Sequence, residues 1–327
     1  MYTFEELREK INTEIQRRSE IMNKREPAEL YDPIEYTLEM GGKRLRPVLL
    51  LHSYNLFSED ISDALPAALG IEVFHNFTLL HDDIMDKADM RRSRLTVHKK
   101  FSENNAILSG DAMAFLAYEY LLECKLERIT EVSRLFTKTA IEVCEGQQYD
   151  MDFETRLDVT EAEYLEMIRL KTAVLLACSL KCGALLANAE PATANKLYDF
   201  GINLGLAFQL QDDMLDTFGN QDTFGKKIGG DILANKKTFL LIKALEMAGK
   251  EQQNKLLNWI NKIDFSPEEK IREVKSVYNQ IGVEQQIKDK IDEFYKKTLQ
   301  ILGEIKLTEI QKEPLKKLSE KMLQRVY

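Results

Sequence analysis

The chain of 327 residues sets 45 Lys and Arg against 54 Asp and Glu, a formal net charge of −9. That acidic balance argues against nucleic acid as the main partner, because phosphate-backbone binders are usually basic. Hydrophobic residues make up 44% of the chain, enough for a sizeable core, and no stretch reaches the ~18 uncharged apolar residues of a membrane span.

In chain order, "MYTFEELREKINTEIQRRSE" reads as a charged amphipathic helix without the apolar core of a signal peptide. Residues 39–47, "EMGGKRLRP", read as a loop. "ALGIEVFHNFTLLHDDIMD" is then apolar on most sides, so it predicts a buried helix, followed by a second loop at 90–98, "MRRSRLTVH". Four more segments carry i, i+3, i+4 apolar spacing: "GDAMAFLAYEYLLECKL", "RLFTKTAIEVCEGQQYDMD", "EAEYLEMIRLKTAVLLACSLKCGALLA" and "ANKLYDFGINLGLAFQLQDDMLDTF". All seven prolines lie outside 67–190, which agrees with consecutive helices there. A third loop is predicted at 218–231, "FGNQDTFGKKIGGD". "DFSPEEKIREV" predicts a helix start, with Ser266 as cap, Pro267 at the first position and Glu269 closing a capping box.

Alternating strand patterns of useful length are absent. Cys124, Cys144, Cys178 and Cys182 sit inside the apolar helical patterns and read as reduced core thiols, which favours a cytoplasmic location. The expectation is an all-α bundle of about ten helices in one domain over 1–327. Its motif-bearing core lies at 40–240, with outer amphipathic helices at 241–327.

Two acidic clusters carry the chemistry. Asp82, Asp83 and Asp86 end the first buried helix, and Asp212, Asp213 and Asp216 repeat the D-D-x-x-D pattern at the end of another apolar run. Positions i and i+4 share a helix face, so Asp82 and Asp86 project together with Asp83 beside them. Carboxylates at the mouth of a buried helix are costly unless cations counter them. Oxygen-only donors suit a hard ion, and Mg²⁺ binds through one or two carboxylates plus substrate phosphates. Basic residues bracket both clusters: Lys43, Arg44 and Arg46 behind two glycines, Arg91 and Arg92 after the first motif, and Lys226, Lys227, Lys236 and Lys237 after the second. Carboxylates and cations in one pocket become compatible when magnesium and diphosphate bridge them. Surface salt bridges are the simpler reading for Arg44 and Lys237.

"GGKRLRP", "HDDIMDKADMRR…TVH", "KT" at 171–172, "FQLQDDMLD" and "GKKIGGDILANKKT" together resemble the signature regions of the trans-type polyprenyl (isoprenyl) diphosphate synthases, in order and spacing along 40–240. The resemblance implies that Asp82, Asp83, Asp86, Asp212, Asp213 and Asp216 hold about three Mg²⁺, with Mn²⁺ as a substitute, and that Asp82, Asp86 and Asp212 are the direct ligands. It implies that Arg91, Lys171, Lys227 and Lys236 bind the allylic diphosphate, with Lys226 in play through the register of "GKK". Lys43, Arg46, His75 and Arg92 would hold isopentenyl diphosphate. Thr172 and Gln209 would stand near the developing carbocation, and Gln147 and Asp150 would add a polar face near the metals. The implied partner is a second copy of the chain, through an apolar helix such as 111–124.

Ionising an allylic diphosphate builds charge on the leaving group, which Mg²⁺, Lys and Arg stabilise. The cation must be kept from water, so a deep apolar pocket is expected. One helical turn, about 5.4 Å, corresponds to one C5 unit, so residues upstream of Asp82 set the product length. Phe77 with the small Thr78 resembles the arrangement of C20 synthases, and Phe74 adds a second barrier. The expected product is C20 geranylgeranyl diphosphate, with C15 farnesyl diphosphate as the alternative. A class I terpene cyclase would leave Lys43, Arg46 and Arg92 without a role, and a non-catalytic partner subunit would have lost aspartates.

Overall fold

The computed structural model describes residues 1–124, 127–219 and 228–324. Among these described residues the regular structure is helical apart from one antiparallel ladder, β1 (Met90–Arg91) paired with β2 (Arg94–Leu95). None of the described helices is long and apolar enough to cross a membrane. The chain's contacts divide it into two compact units, one of Met1–Thr137, Cys178–Leu197 and Lys306–Pro314, the other of Lys138–Ala177, Tyr198–Ile305 and Leu315–Tyr327.

The first unit opens with α1 (Phe4–Met22), started by a reciprocal capping box between Thr3 and Glu6. Its Leu7, Ile11, Ile15 and Met22 fall at near-i+4 spacing and are buried. α2 (Ala28–Glu39), α3 (Leu45–Asn55), α4 (Leu65–Met85), α5 (Val97–Lys100) and α6 (Glu103–Leu122) follow. As expected from its all-round apolar sequence, α4 buries Ala67 through Phe74 without a break. The one charged residue in that run, Glu72, pairs with Arg44 at 2.6 Å. α4 stops at Asp86, and Lys87 turns left-handed (φ 52°) to release the chain into the β1–β2 hairpin.

α7 (Ile129–Glu154), α9 (Val174–Leu186), α10 (Pro191–Phe218) and α16 (Glu309–Gln324) each have residues in both units. The second unit also holds α8 (Glu161–Ile168), α11 (Gly230–Leu233), α12 (Phe239–Met247), α13 (Lys250–Asn261), α14 (Pro267–Ile281) and α15 (Val283–Glu304). Its core gathers Tyr164, Leu210, Phe239, Trp259, Tyr278 and Ile287.

Several local expectations change. The run 161–187 is not one α-helix: a π-helical turn, Arg169–Ala173, interrupts it. Pro33 and Pro314 lie inside helices. Ser266 does cap α14 through the Glu269 amide, while its hydroxyl donates to Glu268; the reciprocal half of the box, from the Glu269 side chain, is not made. Cys144 is exposed, unlike the other three thiols. Arg44 and Lys237 are buried, not surface residues. Arg44 is held by Glu72, the Leu38 carbonyl and Asn12, and Lys237 donates to the Glu154 carbonyl at the end of α7 at 2.6 Å.

Candidate active site

In the first unit, the loop before α3, the middle of α4 and the hairpin bring the predicted anion-binding residues together. Gly41 and Gly42 both have positive φ, and a Cβ on Gly42 would sit 2.8 Å from the Arg92 guanidinium. Only glycine fits there. Arg92 donates to the Gly41 carbonyl, which ties the hairpin to the loop that carries Lys43 and leads into Arg46 of α3. Arg46 Nη1 lies 3.0 Å from His75 Nε2. Burial lowers the Arg46 guanidinium to about 10 and drives the His75 imidazole well below its ordinary range, with Arg46 and Arg92 adding to the effect. Among the described residues Arg46, His75 and Arg92 form no ion pair, and the Arg46 Nε is buried without a hydrogen-bond partner. A buried N–H in such a cluster is suited to an anion.

The acidic motif at the end of α4 is split in role. Asp83 is buried and accepts from the Arg91 Nε at 2.8 Å, with Nη2 also at 2.8 Å. Asp82 is half-buried and Asp86 exposed. Burial raises the Asp83 carboxyl, against the pull of Arg91. Upstream, Phe74 is fully in the core, edge-on to Phe136 at 5.1 Å, while the half-buried Phe77 rests on Phe74 at 5.4 Å. Thr78 turns its hydroxyl to the His75 carbonyl.

In the second unit, the π-helical turn carries both Lys171 and Thr172. A Cβ on Gly146 of α7 would lie 2.3 Å from the Lys171 backbone nitrogen, so the bare glycine lets α7 approach the turn. That approach puts Asp150 of α7 at 2.6 Å from Lys171 Nζ, with Lys236 Nζ at 4.0 Å. Burial raises the Asp150 carboxyl, but Lys236 and Lys171 outweigh it and hold it below the ordinary carboxylate range. Thr172 donates to Gln209 Oε1 at 3.0 Å, and Gln209 donates to Asp213 Oδ1 at 3.1 Å.

Asp213 is buried and also accepts from the Tyr164 hydroxyl. Burial and the charge of Asp231 push its carboxyl up to about 7. Asp216 accepts the Asp231 amide at 3.0 Å, which fastens α11 to the end of α10. Asp212 is half-buried. Lys226 and Lys227 lie outside the described residues. Tyr164 and Glu72 were not anticipated; each is a distant partner of a predicted residue, and nothing in the local sequence marks it.

Among the described residues no three acidic, His or Cys side chains converge as a ready metal cage. The donor set nevertheless fits Mg²⁺: all donors are carboxylate oxygens, and Mg²⁺ takes only one or two of these, completing its shell with water and phosphate.

The fold and these residues define a family. The Polyprenyl synthetase family model matches residues 27–300, and the chain belongs to that family. It is a trans-polyprenyl diphosphate synthase, a transferase. It is similar to a geranylgeranyl diphosphate synthase of Methanosarcina mazei, 44% identical over 222 residues covering 67% of this chain and 68% of the relative. A geranylgeranyl pyrophosphate synthase of Geoglobus acetivorans is 40% identical over 290 residues, 87% of this chain and 88% of the relative. A crystal structure of a geranylgeranyl pyrophosphate synthase matches with a TM-score of 0.94 at 43% identity, over 100% of both chains.

Proposed function

We propose that this chain joins an allylic diphosphate to isopentenyl diphosphate, head to tail, to make all-trans C20 geranylgeranyl diphosphate. The supporting observation is the group formed by the cations Arg46 and Arg92 and the neutral imidazole of His75, with no carboxylate paired to them among the described residues. An elongating enzyme must hold a second diphosphate, and a cyclase has no need to. Lys43 completes that set. Arg91, Lys171 and Lys236, with Lys226 and Lys227, are the cations for the allylic diphosphate. Asp82, Asp86 and Asp212 would hold Mg²⁺, which neutralises charge on the departing diphosphate. Asp83, Asp213 and Asp216 support them through the protein contacts described above.

The allylic C–O bond breaks and its electron pair leaves with the diphosphate. The double bond of isopentenyl diphosphate attacks the allylic C1, and a proton then passes to the diphosphate. The cation can be faced by Thr172 and Gln209, which are already hydrogen-bonded to each other. Phe77, backed by Phe74 and Phe136, is the proposed floor for the growing chain. The two named relatives above support C20.

The same reading places one synthase domain over both units, in the cytoplasm, as a homodimer. The dimer is supported by Leu108, Phe115 and Leu122 on α6, spaced by seven and 61%, 76% and 61% exposed. With Mg²⁺, labelled isopentenyl diphosphate and C5, C10 or C15 primers, the expected product is a C20 diphosphate by chromatography. Failure of the folded protein to elongate any primer refutes the reading. A C15 end product would refute the floor assignment alone, and Phe77→Ala should lengthen the product by at least one C5 unit.

A further inference from the structure

Lys236 stands in the turn after α11. A small cavity adjoins it, lined by Asn235, Lys236 and Lys270 together with the apolar Ile232, Leu256 and Trp259. Beyond that lining, directional hydrogen bonds fix the turn. Two carry it from outside. Lys270 of α14, 1% exposed, donates to Asn235 Oδ1 at 2.7 Å and approaches the Leu233 carbonyl at 3.3 Å. Asn235 in turn donates to the Ile260 carbonyl of α13 at 3.1 Å.

Asn235 is held left-handed, at φ 54°, a conformation that disfavours side chains other than Asn, Asp and Gly. Lys236 follows it directly, with its amide on the Asp231 carbonyl at 2.9 Å. Asp231 is itself fastened to Asp216 of the second acidic motif.

Lys270 is an unusual choice for structure alone. Its ammonium is buried, and among the described residues it forms no ion pair. Its neighbours are two uncharged amide oxygens and the Phe265 ring, 4.3 Å from the centroid. A buried charge so compensated costs stability that an apolar side chain would not. Burial accordingly lowers its pKa.

We infer that Lys270 is a positioning residue for the allylic diphosphate: by fixing Asn235 it sets where the Lys236 ammonium stands. The inference rests on the reading of Lys236 given under the proposed function.

The test is steady-state kinetics of the full chain with Mg²⁺, each substrate varied at saturation of the other. Lys270→Met keeps the length of the side chain and removes its donors. Asn235→Gly keeps the left-handed backbone and removes the amide. Each should raise the KM for the allylic diphosphate by roughly fivefold to twentyfold, leaving the KM for isopentenyl diphosphate unchanged. The melting temperature of Lys270→Met should stay level or rise. An unchanged allylic KM in either folded variant, or an equal rise in both KM values, overturns the inference. If Lys270→Met does not fold, Asn235→Gly decides. Wild-type protein that elongates no primer would refute the functional reading itself, whereas an active wild type with indifferent variants refutes only the role of Lys270.

Discussion

The two acidic motifs are near copies in sequence, yet their middle aspartates are held by different physics. Asp83 faces the guanidinium of Arg91, eight residues on, in a paired N–H to carboxylate contact. Among the described residues Asp213 is hydrogen-bonded by neutral donors, the Tyr164 hydroxyl and the Gln209 amide, while the charge of Lys236 also pulls its carboxyl down. Burial raises both carboxyls. In the first motif Arg91 opposes the rise, and in the second the charge of Asp231 adds to it. The comparison teaches that D-D-x-x-D is not six equivalent ligands. The middle residue of each copy braces its helix end against a neighbour, by an ion pair in one and by a hydrogen-bond chain to Thr172 in the other. The proposed metal-holding residues, Asp82, Asp86 and Asp212, are less buried members of the two motifs beside these braced aspartates.

The largest effect should come from removing these outer aspartates. Asp82→Ala and Asp212→Ala should each cut turnover by about a hundredfold or more, with melting temperatures close to wild type. Near-normal turnover in Asp82→Ala would end its metal role, and the division between outer and middle aspartates with it. A second pair of variants separates the two braces. Arg91→Met and Tyr164→Phe should each cost about 2 kcal/mol, because each strips a donor from a buried carboxylate. Arg91 is 30% exposed at its side chain, so that figure is already reduced for solvent screening. Denaturant melts in about 1 M salt distinguish the causes. Screening should shrink the Arg91→Met deficit and leave the Tyr164→Phe deficit in place. Equal salt responses would show that the two braces are alike after all.

The parts legible in the sequence were those set by local spacing. The 3.6-residue pattern gave α4 and α10, and the i, i+4 carboxylates at their ends followed from helix geometry. The glycine pair before Lys43 marked a loop, and at Gly42 the φ of 139° is one that glycine alone adopts readily. What stayed hidden depended on partners far along the chain. Arg44 and Lys237 carry the same letters as solvated residues, and partners such as Glu72 and the Glu154 carbonyl, 28 and 83 residues away, hold them inward. The π-helical turn at Lys171 has an ordinary helical composition, and Gly146, the neighbour that lies against it, is far away in the sequence. The division into two units left no compositional mark, since four helices have residues in both.

The smallest effect separates the units by pH. All four histidines belong to the first unit. His52 is buried, and desolvation lowers it to about 4, while His75 is lowered further by burial and by Arg46, Arg92, Arg91 and Arg44 around it. A histidine whose folded pKa lies below its unfolded value near 6.5 takes up protons more readily when unfolded. Its contribution to stability therefore falls as pH drops from about 6.5 towards the folded pKa. Asp213 works the other way. Its folded pKa of about 7 lies above the unfolded 3.8, so the stability it withholds at neutral pH is regained as pH falls through 7. Between pH 7 and 5.5 the shift is roughly 1 kcal/mol for each of these groups. Bound metal would invert the logic at Asp213, so the measurement belongs in chelator-treated protein. Hydrogen exchange, corrected for the intrinsic pH dependence, should show α3 and the middle of α4 opening more readily at pH 5.5, while the Asp213 end of α10 becomes better protected. Uniform loosening of both regions would mean that the buried histidines and Asp213 do not control their acid response. His52→Leu should remove most of the change in α3 without altering α10, because Leu has no proton to gain on unfolding.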